Sequence, residues 1–176
     1  MDDSQANNSM SDNLAERLKN LAQEHAHRTQ AKIDQQRSRE RADAFVSAHA
    51  RNEYDNLVRL LKERAEQMNS NIGNLPEFVP GGSRIELGHM ALYHFFDQPV
   101  VNRPDNVLEL TIGTAPHKMY LSGSEPTPVK YKFVAMASAD LSSIVWVGNG
   151  RQFTSAQLVD FVLEKFVATY LQQARK

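Results

Sequence analysis

Residues 84–96 read Arg84-Ile-Glu-Leu-Gly-His-Met-Ala-Leu-Tyr-His-Phe-Phe96. Side chains alternate along this stretch with the period-two pattern of a β-strand. Read as one long strand, it turns Ile85, Leu87, Ala91, Tyr93 and Phe95 to one face. Glu86, Met90, Leu92, His94 and Phe96 take the other, with a bulge expected at Gly88. After a Pro/Asn-rich loop at 97–106, Val107 to Ile112 reads as a second strand with Leu108, Leu110 and Ile112 on its apolar face. Short strands follow at Lys118 to Leu121, Val129 to Ser138 and Ile144 to Val147, with a turn at Ser122 to Pro128. Gly148-Asn149-Gly150 is a tight turn, because Gly and Asn tolerate positive φ, and Arg151 to Phe153 pairs back across it. No crossover helix fits between residues 84 and 153, which excludes a parallel sheet. The expectation is an antiparallel sheet of about five strands, hence an α+β domain over 84–176.

The chain after that sheet carries a complete helix-start signal. Thr154 stands at the N-cap with Gln157 three residues on, and Phe153 and Leu158 flank them as a hydrophobic staple. Val159, Val162, Leu163, Phe166, Val167 and Tyr170 then recur at helical spacing, so one C-terminal helix is expected to lie on a face of the sheet.

Upstream, the composition changes. Residues 1–75 contain only two aromatics, Phe45 and Tyr54, one Gly and no Pro, whereas all seven Pro and the single Trp lie beyond residue 75. The first part is therefore expected to be a polar tail over 1–11 and a long helical arm over 12–73, coiled-coil-like or folded as a helical hairpin. A Pro/Gly linker over 74–83 joins it to the domain. Within the arm, Leu14, Leu18, Leu21 and His25 follow at four- and three-residue steps. The stripe fades between Arg28 and Arg41, where Ile33 is the one large apolar residue. It returns through Val46, Ala50, Tyr54, Leu57, Leu61, Met68 and Ile72, widened by Val58, Leu60 and Ala65.

Composition sets limits on function. The formal net charge is −1, with 11 Lys/Arg against 12 Asp/Glu in residues 1–75, so no whole-protein field favours nucleic acid or anionic membrane. The chain has no Cys, which excludes disulfides, thiolate metal sites and Cys nucleophiles. No apolar run approaches the roughly 18 residues of a membrane span, and Met1 to Asn8 lacks the basic and apolar regions of a secretory signal. A cytoplasmic protein without membrane contact is the expectation.

The chemistry-bearing residues form no recognisable constellation. His25 and His27 point about 200° apart on a helix, and His89 and His94 are five apart on a strand, so no metal-ligand pair results. Glu86, Asp97, Asp105, Glu109 and Asp140 are scattered over strands and turns, and no Gly-x-Ser-x-Gly elbow or dinucleotide loop is present. Tyr93, Phe95, Tyr131, Phe133 and Trp146 recur at alternating positions as core aromatics, or as the lining of an apolar pocket between sheet and helix, and a ligand site in the domain would be expected at the loops 97–106 and 113–117. No catalytic residue, cofactor or metal is therefore expected. The leading reading is a non-enzymatic interaction or assembly protein that self-associates or docks a protein partner through its helix, with Val46, Leu57, Leu61 and Met68 as contact residues. Two alternatives follow from other features. One is nucleic-acid contact through Lys32, Arg37, Arg39 and Arg41, and the other is a small-molecule-binding or enzymatic site in the α+β domain.

Overall fold

The computed structural model describes residues 3–71, 73, 75–97, 106–114 and 129–175. Helix α1 runs Asp3–Asn71, followed by β1 (Phe78–Pro80), β2 (Arg84–Leu87), β3 (Met90–Asp97), β4 (Val107–Thr114), β5 (Val129–Ala137), β6 (Ile144–Gly148), β7 (Arg151–Phe153) and helix α2 (Ser155–Gln173). The seven strands form one antiparallel meander in chain order, β1 to β7. The class is α+β, as expected, with seven strands among the described residues instead of five. The strand expected at Lys118 to Leu121 and the turn after it lie outside the described residues.

Two differences account for the extra strands. Residues 84–97 are a hairpin and not one strand: Gly88 takes φ +59 and, with His89, makes a two-residue turn between β2 and β3. That turn reverses the chain and exchanges the parity of the alternation. Leu87 pairs with Met90 and Ile85 with Leu92, so Ile85 and Leu87 share a face with Met90, Leu92, His94 and Phe96. Ala91, Tyr93 and Phe95 take the opposite face. The second difference is β1, inside the stretch expected to be a linker. Phe78 pairs with Leu87 on one side, and on the other the Asn69 side chain substitutes for a neighbouring strand. Asn69 Nδ2 donates to the Phe78 carbonyl at 2.9 Å, and the Phe78 amide donates to Asn69 Oδ1 at 2.7 Å. Pro80 is tolerated because β1 is an edge.

The remaining strands follow the expected alternation. Leu108 pairs with Phe133, Leu110 with Tyr131, and Ala135 with Trp146, all on the inner face. Between β6 and β7, Asn149 (φ 52) and Gly150 (φ 70) form the two-residue turn whose positive dihedrals match strand twist. Gly148 is required for a different reason. A Cβ there would sit 2.5 Å from both the Lys132 carbonyl oxygen and the Phe133 ring. Gly148→Ala is expected to cost about 2–3 kcal/mol by overpacking β5, read as a lower denaturant midpoint. An unchanged midpoint would show that the sheet relaxes freely at this point.

Helix α2 starts as its sequence dictates. The Thr154 side chain accepts from the Gln157 amide, and Gln157 Oε1 accepts from the Thr154 amide at 3.0 Å. Leu158, Val159, Val162, Leu163 and Phe166 are buried against the inner face, where Phe166 meets Phe78 edge-on.

The chain divides into two compact units, residues 1–41 and 42–176. The second unit contains the C-terminal part of α1, and this part is a layer of the domain. Val46, Ala50, Tyr54, Leu57, Leu61 and Ala65 are all buried in the same core as the sheet and α2. Sheet and core lie in one body with two helices, and its first residue is Ala42 instead of residue 84. Of the two forms expected for the arm, α1 takes the continuous one, a single helix assigned from Asp3 to Asn71.

Candidate functional site

The expected contact face of the helix is the first feature to locate. Val46 is buried, Leu57 and Leu61 are each 1% exposed, and Met68 is half-buried against the core. An apolar stripe needs cover, and here the chain's own sheet and α2 supply it. Val46, Leu57 and Leu61 are therefore part of the core, while Met68 is partly covered and lies at the core's edge.

The earlier part of the stripe has no such cover. Every described side chain from Leu14 through Arg41 is exposed. Leu14, Leu18 and Leu21 are 57%, 57% and 61% exposed, and Ile33 is also exposed. The helix in this unit is held by its backbone ladder and by local pairs one turn apart. Arg28 meets Glu24, Gln30 donates to Asp34 at 3.0 Å, and Gln36 donates to Glu40 at 2.9 Å. Each such pair is worth a few tenths of a kcal/mol, and none buries apolar area.

Lys32, Arg37, Arg39 and Arg41 are exposed on the same helix, and no described ion pair involves them. At 100° per residue Lys32 and Arg39 share one face, while Arg37 and Arg41 share another about 140–180° away. Asp34 and Glu40 lie among them. They do not align as one phosphate-tracking stripe.

Within the unit of residues 42–176, two buried polar contacts were not foreseen. Tyr54 Oη and His94 Nδ1 lie 2.8 Å apart, a hydrogen bond that joins α1 to β3. His94 is 3% exposed, pairs with Leu110 across the sheet, and has no partner for Nε2 among the described residues. Burial, reinforced by the nearby Lys62 charge, lowers its pKa from 6.5 to about 4, so the ring is neutral at ordinary pH. Burial raises the Tyr54 phenol above its usual value. The second contact is a chain: Trp146 Nε1 donates to Ser155 Oγ at 2.9 Å, and Ser155 in turn donates to Glu53 on α1. His94 was legible as a core position from its alternation with Leu92 and Phe96. Nothing local signalled the pairing of Ser155 with Glu53, 102 residues apart.

The other candidates do not converge. Among the described residues no group of three His, Asp or Glu side chains could hold a metal ion. His25 and His27 are exposed, and His89 contacts Gln173 and Tyr170. Glu86 pairs with Arg84, Glu109 lies between Lys130 and Lys132, and Asp140 accepts from Ser138 and Ser142 in the β5–β6 turn. His117 and Asp105 lie outside the described residues, as do most of the two loops expected to border a pocket. Phe133, Trp146 and Tyr131 are on the inner face of the sheet, opposite to Tyr93 and Phe95, so the aromatics line no common pocket. An open groove of about 690 Å³ lies between α1 and α2, lined by Met68, Leu163, Val167 and Leu171 together with Arg64 and Asp160, which lie 3.5 Å apart. Among the described residues no helix is long and apolar enough to cross a membrane.

The chain matches no known protein family, no curated protein and no solved structure.

Proposed function

We propose that this chain is a non-enzymatic interaction protein that takes a helical partner along Leu14, Leu18 and Leu21. The folded body of residues 42–176 carries the segment. The observation that carries this reading is the exposure of three leucines at helical spacing in a segment where every described side chain is exposed. An isolated helix gains most of its stability from packing an apolar face, and this segment packs none within its own unit. Three leucines on one face favour an apolar helical partner over a polar ligand. The reading moves the docking residues from the Val46–Met68 stretch, whose face is occupied, to the stretch upstream of Ala42.

The test uses tagged full-length chain expressed in its native host, as wild type and as Leu18→Asp/Leu21→Asp. Wild type is expected to retain a stoichiometric helical partner, whether a foreign protein or an untagged copy of the chain, and the variant to lose it. Both should unfold at the same temperature, since neither leucine belongs to the core. Recovery of the same proteins with both baits would overturn the reading.

A further inference from the structure

The spacing of Leu14, Leu18, Leu21 and His25 defines a heptad register. Leu14 and Leu21 fall at d, and Leu18 and His25 at a. The flanking positions are then assigned: Ala15 and Ala22 at e, Arg17 and Glu24 at g. These flanks discriminate between the two ways a pair of such helices can lie. In a parallel pair, g of one helix meets e of the other, so Arg17 would face Ala22 and Glu24 would face Thr29, with no charge paired. In an antiparallel pair, g meets g and e meets e. Arg17 then faces Glu24 of the second helix, twice by symmetry. On the other side Ala15 faces Ala22, two small side chains that admit close approach. The core layers become Leu18 against Leu21 and Leu14 against His25, each occurring twice.

From this complementarity we propose that a second copy of the chain occupies the leucine stripe, pairing antiparallel through residues 14–25. The proposal rests on the reading that the stripe takes a helical partner, and it names that partner and its direction. Charge and size both fit the same register. Arg17 is exposed and no described ion pair involves it, while Glu24, which meets Arg28 on its own helix, is exposed enough to accept a second cation. The two-fold symmetry closes the assembly at a dimer. A seam of three turns is far shorter than standard interfaces, so the dimer is expected to be weak, with a dissociation constant of about 10–100 μM.

Sedimentation velocity on the purified full chain, from about 5 to about 500 μM, should show monomer passing to dimer. Leu18→Asp should weaken the dimer at least about tenfold. Arg17→Glu should weaken it by about three- to tenfold, and Arg17→Glu/Glu24→Arg should restore it to within about twofold. Direction is read by cross-linking, which is clean because the chain has no Cys. Leu14→Cys mixed with His25→Cys should form a disulfide-linked dimer under mild oxidation, and Leu14→Cys alone should not. Cross-linking of Leu14→Cys to itself would overturn the antiparallel arrangement. A wild-type chain that stays monomeric at the highest concentration would overturn the second copy as partner. Neither result touches the broader reading, which depends on whether the tagged chain loses a partner with its leucines.

Discussion

Leu57→Asp is expected to unfold residues 42–176 at room temperature, as seen by loss of the near-ultraviolet circular dichroism of Trp146 and of any cooperative transition. Leu57 is 1% exposed and sits in the middle of the buried face of α1, with Tyr54 and Leu61 on either side. Removing its side chain costs about 3 kcal/mol, counting lost transfer energy and the cavity left behind. A carboxylate in that position adds several kcal/mol, because nothing apolar around it can solvate the charge or donate to it. The total, about 6 kcal/mol or more, is comparable to the whole stability of a domain of this size. Leu57→Ala separates the two components. It should keep the fold and lower the free energy of unfolding by about 3 kcal/mol. The contrast with Leu18→Asp is diagnostic. That residue is more than half exposed, so its substitution should change stability by no more than about 0.5 kcal/mol while acting on association. A well-folded Leu57→Asp protein would mean that α1 is not a layer of the core.

The second large effect is acid sensitivity centred on His94. Its folded-state pKa is lowered to about 4 from an ordinary 6.5, chiefly by burial and further by the Lys62 charge. The unfolded chain therefore takes up a proton first as the pH falls. Stability from this group is full above pH 6.5 and declines as the pH drops toward 4. The loss amounts to about 2 kcal/mol by pH 5 and about 3 kcal/mol at completion. Protonation would place a charge between Leu92, Phe96 and Leu110 and require Nε2, which has no partner among the described residues, to carry part of it. Tyr54→Phe/His94→Leu removes both ends of the hydrogen bond together and leaves neither group stranded. Urea titrations at several pH values should give a steep decline for wild type between pH 6.5 and 4.5 and a flatter one for the double variant. Parallel declines would show that carboxylates elsewhere, and not His94, set the acid limit.

The two effects mark where sequence reasoning succeeded and where it stopped. Helix α2 was legible to the residue, because a capping box and staple are made within six consecutive positions, Phe153 to Leu158, and need no distant partner. Strands β4 to β7 and the Asn149-Gly150 turn were legible for the same reason. The β2–β3 hairpin was not, since a two-residue turn at Gly88-His89 preserves an apparent alternation while exchanging its faces. Nor was β1, whose pairing with Asn69 joins an edge strand to a helix.

By itself, then, the sequence determined the α+β class, the antiparallel order, the start of α2 and the presence of an apolar stripe along α1, because each is written in local period, capping and turn chemistry. Only the tertiary structure decided what covers that stripe. Burial is non-directional: Val46 to Met68 would be equally served by a partner helix, a second copy or the chain's own sheet. The inner face of the sheet and α2, assembled from residues as far along the chain as Phe166, occupy it. They leave Leu14, Leu18 and Leu21 as the exposed remainder on which the functional reading depends.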